Sequence, residues 1–330
     1  MHDGREEAEL KTTAMAMSRH FFKNTKGLYL LAALVLVFAF FTAMNLRFSS
    51  VDNLINIARQ MSINMVIAVG MTFVIISGGL DLSVGSIGIM CGCLVGVLMA
   101  GFDVPIIAAI MIGLFVGGLV GFINGYVIAK FRVPPFVATL AMMSIARGVA
   151  IIETGGYIIS GFPAKFNEIG IGFFLGIPFP VYVMVVVVII GQIVLSKTEF
   201  GLNVYALGGN ERAARLAGLK VDAMKLKIYT ISGVLAAIGG ILLTARVVSA
   251  QPALMVSTNL EVIAAVFVGG TRMGGGEGGM LQTVMGAVLM AFLFNGLNII
   301  GIGYEWQQVA IGIILIGAVG MDMRSSHQSI

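Results

Sequence analysis

The side chains that could do chemistry in this chain are few. Asp81 and Ser83 stand in a glycine-flanked break, SGGLDLSVGS at residues 77–86, just ahead of an apolar run. Two uses fit them. They can cap the next helix, where a carboxylate favours the positive N-terminus, or that helix end can be aimed at a polar substrate. Other polar residues are scattered through the apolar runs, among them Asn64, Asn124, Thr139, Ser144, Gln282, Asn295 and Asn298. Singly, each suits a hydrogen bond between helices. As a set, Asn64, Asp81, Ser83, Asn124, Thr139, Asn295 and Asn298 suit a passage for a neutral polyhydroxylated solute, which needs amide and hydroxyl partners but no fixed counter-charge. Arg147 differs, because a cation in or near a span is costly and is by default a functional residue. Glu261 follows Asn259 and Leu260 at a helix start and is read as a cap.

Several chemistries are excluded by the same inventory. His2, His20 and His327 all lie in the tails, so no histidine-based catalytic centre or metal site sits within the membrane. Cys91 and Cys93 are two apart on a predicted helix and point to different faces, which suits packing rather than a disulfide or a metal. A phosphate-binding loop needs Gly-Lys followed by Ser or Thr, and the chain contains no Gly-Lys pair. The reading is a chain with no catalytic residue, no metal site and no cofactor of its own; ATP chemistry, with its Mg, must come from another polypeptide.

The elements around these residues are set by composition. Of 330 residues, 58% are hydrophobic and only 11% charged, against about 25% charged in soluble domains. Mean hydropathy is +1.00. Long apolar runs without strand alternation predict an all-α integral membrane fold with about ten transmembrane helices. They fall at about residues 27–46, 54–76, 83–101, 105–129, 135–155, 177–196, 228–248, 258–270, 280–300 and 305–321. The eighth is short. The 44 glycines suit close helix contacts in lipid. Val133-Pro134-Pro135 stops a helix, and residues 155–180 read as a loop with room for a short helix. Basic residues before the first run (Arg5, Lys11, Arg19, Lys23, Lys26) place the N-terminus in the cytoplasm as a retained signal-anchor. Lys130, Arg132, Arg272 and Arg324 then fall on the same side, with both termini cytoplasmic. The domain reading is a cytoplasmic tail at 1–26, a permease domain at 27–322 and a cytoplasmic tail at 323–330. A second glycine-rich break, VGGTRMGGGEGG at 268–279, resembles the first loosely, as an internal duplication would. The net charge of +4 is explained by residues at span ends and needs no nucleic acid.

Residues 197–227 form the one long polar interruption, with six basic and three acidic side chains. Each charge costs roughly 2.5–3.5 kcal/mol at the bilayer centre, so the segment lies in water. Within it, residues 210–218 predict a short helix with Asn210 as N-cap and Gly218 in the left-handed position beyond its end. Such a rigid helix is suited to being pushed, and composition alone leaves an ordinary loop equally open.

Three longer stretches carry a resemblance: AVGMTFVIISGGLDLSVGS at 68–86, VPPFVATL at 133–140 and TEFGLNVYALGGN at 198–210. SAQP at 249–252, EVIAA at 261–265 and GGT at 269–271 extend it. Through them the chain resembles the membrane permeases of ribose-type monosaccharide ABC importers, within the superfamily that also holds branched-chain amino-acid permeases. The resemblance implies a pair of permeases, identical or paralogous, in the bacterial inner membrane. It also implies a periplasmic or extracellular sugar-binding protein, and a separate ATP-binding subunit with two fused nucleotide-binding modules. Residues 208–222 match the family's coupling helix. That assigns ATPase coupling to Gly208, Gly209, Asn210, Glu211, Arg212, Ala213, Ala214, Arg215, Leu216, Gly218 and Leu219, with the arginines on acidic or carbonyl groups of the ATPase and Ala213, Ala214, Leu216 and Leu219 as an apolar face. Alternatives are an importer permease for another small solute such as an amino acid, or an ion-coupled carrier. The carrier needs titratable groups deep in the spans, whereas Asp81, Glu153, Glu261 and Glu305 fall near predicted ends. An intramembrane enzyme lacks any paired carboxylate or activated nucleophile at membrane depth.

Overall fold

A computed structural model describes residues 25–327, with side-chain surroundings for residues 27–320. The tail readings at 1–24 and 328–330, with His2 and His20, lie outside the described residues. Among those described, eight helices are long and apolar enough to cross a membrane. They are α1 (Thr25–Met44), α2 (Val51–Ile76), α3 (Val84–Phe102), α4 (Ile106–Lys130), α5 (Pro135–Thr154), α7 (Phe179–Lys197), α10 (Val221–Val247) and α12 (Met280–Ile299). The expected eighth and tenth spans correspond to α11 (Thr258–Val268) and α13 (Tyr304–His327). At 11 residues, α11 reaches about 16 Å, half of a bilayer core. Residues 323–327, read as tail, continue α13.

Local chemistry sets most boundaries. Pro135 begins α5, where a missing N–H costs nothing. The Ser50 hydroxyl caps α2 by accepting the Asn53 N–H at 3.4 Å. Between α5 and α7, the loop carries α6 (Ala164–Ile171) and a two-strand hairpin, β1 (Phe173–Phe174) against β2 (Ile177–Pro178). The polar interruption is more helical than its composition suggests. It contains α8 (Glu199–Gly209) and α9 (Glu211–Leu216), and α10 begins at Val221 rather than near 228.

α10 is the centre of the bundle, and its main neighbours are α4, α3 and α2. Glycine permits that crowding. A Cβ at Gly240 would fall on the Gly88 carbonyl of α3, and one at Gly233 on the Gly117 carbonyl of α4. With no hydrophobic drive between helices in lipid, backbone approach supplies the dispersion contact instead. Cys91 and Cys93 are buried free thiols in this packing. The outer helices keep large apolar side chains exposed, such as Phe40 on α1, Phe136 and Ile152 on α5, and Ile189 and Ile190 on α7. A lipid-facing surface requires this.

Candidate coupling and passage sites

α9 is the segment read as a lever. The Asn210 side chain accepts the Ala213 N–H at 3.0 Å and caps it. Gly218, at φ +92°, ends it in the left-handed region, while the Leu219 N–H returns to the Ala214 carbonyl at 3.0 Å. Three ion pairs hold this helix to itself and to α10: Arg215 with Asp222 at 3.0 Å, Arg215 with Glu211 at 3.4 Å, and Lys225 with Glu211 at 2.9 Å. Burial alone would push the Glu211 carboxyl up, but Lys225 and Arg215 beside it hold it below its ordinary range. Leu216 is 90% exposed, and Arg212 and Ala213 are exposed with it. Ala214, assigned by resemblance to the apolar face, is buried against this chain instead, and Leu219 is half-buried on the core. Arg215 likewise spends its guanidinium on Asp222 and Glu211. Apart from the ion-paired Glu211 and Arg215, the exposed surface of α9 is made by Arg212, Ala213 and Leu216.

α8 leads into a joint made of backbone. Gly208 is seated so that a Cβ would fall on the Ile76 carbonyl, where α2 ends. The Gly276 N–H, from the second glycine-rich break, donates to that same carbonyl at 2.8 Å. The Tyr205 hydroxyl donates to the Gly278 carbonyl at 2.8 Å. Arg272 pairs with Glu277 at 2.8 Å and closes the loop on itself. The two breaks, alike in sequence, therefore meet each other and the base of α9.

Asp81 sits beyond this joint in a closed polar knot. Its Oδ1 accepts the Ser83 hydroxyl and backbone N–H, and its Oδ2 accepts the Ser232 hydroxyl of α10 at 2.9 Å. Asn124 of α4 donates to the Ser83 oxygen at 2.9 Å. Tyr229 donates to the Leu80 carbonyl at 3.3 Å, whereas the Thr139 hydroxyl donates to the Pro135 carbonyl of its own helix at 2.8 Å and lies 3.4 Å from the Leu80 carbonyl. All six side chains are buried. The knot thus unites three residues read as passage candidates, Asp81, Ser83 and Asn124, with a fourth, Thr139, at its edge. Ser232 and Tyr229 complete it and carried no signal in the sequence.

The remaining candidates lie elsewhere. Asn295 exchanges amide hydrogen bonds with Asn53, at 2.8 and 3.1 Å, and Asn298 is exposed. Asn64 lines a cleft between α2, α11 and α12, together with Gln60 and Glu261. It donates to Glu261 Oε2 at 3.0 Å, and Ser257 donates to Oε1 at 2.8 Å. The capping role read for Glu261 leaves this cleft unaccounted for; the i, i+4 spacing of Gln60 and Asn64 is the sequence signal that could have found it.

Comparison with known proteins falls on the whole bundle. A family model described as branched-chain amino acid transport system / permease component matches residues 53–319. The Haemophilus influenzae protein named ribose import permease protein RbsC is 42% identical over 294 residues, 88% of this chain and 91% of that protein. Its Bacillus subtilis namesake is 42% identical over 303 residues, 91% and 92% of the two chains. The Escherichia coli xylose transport system permease protein XylH is 31% identical over 368 aligned residues, 93% and 94% of the two chains. No solved structure matches the chain.

Proposed function

This chain belongs to the branched-chain amino acid transport system / permease component family, and from that premise we propose that it is the permease of an ABC importer for a monosaccharide of the ribose or xylose kind. It is a multi-pass protein of the bacterial inner membrane, a transport component rather than an enzyme. ATP is hydrolysed on a separate subunit built from two fused nucleotide-binding modules. A binding protein outside the membrane delivers the sugar, and a second permease copy, identical or paralogous, completes the passage.

The observation that carries the coupling role is Leu216. A leucine 90% exposed on a helix that is capped, terminated and ion-paired to α10 is a docking residue held stiffly. Burying a leucine on a partner is worth about 1.5–3 kcal/mol. Arg212 beside it offers a guanidinium to carboxylates or carbonyls of the ATPase. Movement of α9 reaches the bundle through Gly208 and Gly209, which seat on the end of α2 and on the second break. Switching the bundle from 1:99 to 99:1 takes roughly 5.5 kcal/mol of differential nucleotide binding, within reach of a partner that binds one arrangement better. Asp81, Ser83, Asn124 and Thr139 hold the first break in shape as the joint moves, and Asn64 meets solute.

The test is Leu216→Asp in the reconstituted importer. ATP-driven ribose or xylose uptake is expected to fall below a tenth of the parent's, with the purified permease unfolding at the parent's temperature. Full uptake with full stimulation of the ATPase by this variant defeats the coupling assignment.

A further inference from the structure

We infer that the ATPase subunit holds this permease at two points: the exposed tip of α9 and, through an acidic side chain, a cavity beside α9 that Arg132 lines. The inference rests on the importer-permease reading. The cavity, about 390 Å³, lies between α9, the first turns of α10 and the 131–134 turn that joins α4 to α5. That volume falls in the roughly 300–1,000 Å³ range of ligand pockets, so it has room for a partner's side chain. Its walls differ. Val133, Pro134 and Pro135 make an apolar side, stiff because each proline fixes its own φ. Glu211, Arg215, Asp222 and Lys225 make the polar side.

On the polar side the charges already engage one another: Lys225 pairs with Glu211 at 2.9 Å and Arg215 with Asp222 at 3.0 Å. Arg132 is left over. It is exposed, and among the described residues no carboxylate lies within ion-pair distance of it. Its backbone sits at φ +56° just past the end of α4, where glycine is the residue that fits without strain. The positive-inside rule explains a cation on this side of the membrane, but not a long side chain kept in the left-handed region. A guanidinium beside an apolar wall, with the neighbouring carboxylates engaged, favours a carboxylate as visitor. Continuity identifies its source. Glu211 and Arg215 line this cavity and also the depression that carries Arg212 and Leu216. The helix between the two has six residues, about 9 Å of length, so a partner seated on Leu216 reaches the cavity mouth. A contact there also grips the turn that leads into α5, a second route from the ATPase into the bundle besides that through Gly208.

The experiment follows thiol labelling of the full-length permease in phosphatidylethanolamine nanodiscs, alone and with the ATPase subunit in excess. Cys91 and Cys93 are buried, so a membrane-impermeant maleimide reads Pro134→Cys in the cavity and Ala213→Cys on the tip of α9, each introduced singly at an exposed position. The ATPase subunit is expected to slow both labelling rates about tenfold or more, as burial in an interface does. In a binding assay Arg132→Glu is expected to weaken ATPase affinity about tenfold, with the permease unfolding at the parent's temperature. Arg132→Lys recovers part of that loss, and Arg132→Gln loses less affinity in high salt than the parent does. Protection at Ala213→Cys without protection at Pro134→Cys overturns the inference and leaves the α9 assignment standing; protection at neither defeats both. Protection of Pro134→Cys by phosphatidylglycerol in the nanodisc, with none added by the ATPase, gives the cavity to a lipid headgroup and overturns it too. Should Pro134→Cys fail to fold, Arg132→Cys is read in its place, and unchanged ATPase affinity in Arg132→Glu is equally decisive against the inference.

Discussion

Two carboxylates in this molecule, one buried and one half-buried, are handled in opposite ways. Asp81 is closed in: the Ser83 and Ser232 hydroxyls and the Ser83 N–H consume it, and Asn124 seals the serine behind. Glu261 is held from two sides by Asn64 and Ser257, and its remaining face borders a cleft. Polar groups satisfied wholly within the chain fix geometry, whereas those left half-satisfied toward a cavity are available to something that enters. The difference lies in where the donors come from, not in the side chain's identity.

Matched substitutions break the comparison open. Asp81→Asn keeps an amide oxygen for the two Ser83 donors but turns an NH2 toward the Ser232 hydroxyl in a fully enclosed site, and stranding buried groups costs about 1–3 kcal/mol each. Thermal unfolding of the purified permease should show a loss of about 2–4 kcal/mol, the largest effect of the set. Gly208→Ala comes next, because its Cβ meets the Ile76 carbonyl and neither backbone has a side chain to swing aside. Overpacking of this kind costs about 1–3 kcal/mol, and uptake should fall further than the unfolding temperature implies. Glu261→Gln, by contrast, should leave stability within about 1 kcal/mol of the parent, since an amide can still serve Asn64 and Ser257. Equal destabilisation by Asp81→Asn and Glu261→Gln would erase the distinction.

The smallest effect belongs to the exposed ion pairs of α9. Glu211 is held below its ordinary range in the folded chain. Its contribution is therefore complete above the unfolded carboxyl value, about 4.3, and disappears as pH falls through the lower folded one. Exposure limits that contribution to about 0.2–1 kcal/mol. A spin label at Ala213 should report greater α9 mobility in that acid window, and in high salt at neutral pH, with Glu211→Gln weakening both responses and leaving the part that Arg215 and Asp222 supply.

Much of the bundle was legible because lipid imposes one strong rule. The expected spans lie within a few residues of the helices for α2, α3, α4 and α12. The rule fails where water begins. Residues 221–227 carry Asp222, Lys225 and Lys227 and read as loop by hydropathy, yet they form the first turns of α10, since a helix end in water tolerates charge. Asp81 was visible as a polar residue in a break, but Ser232 lies 151 positions away and nothing local announces the pair. Glu261 looked like a cap because it stands in a first turn; only the neighbouring stripes of α2 and α12 reveal the cleft it borders.

The short reach of α11 has a consequence for how such permeases could diversify. Because this helix stops halfway, the pocket it helps line at one end and the glycine mesh that follows it at the other are separate neighbourhoods, sharing a backbone but no side chain. Substitutions around the pocket are therefore expected to leave the glycine mesh in place, so that the two regions can change independently.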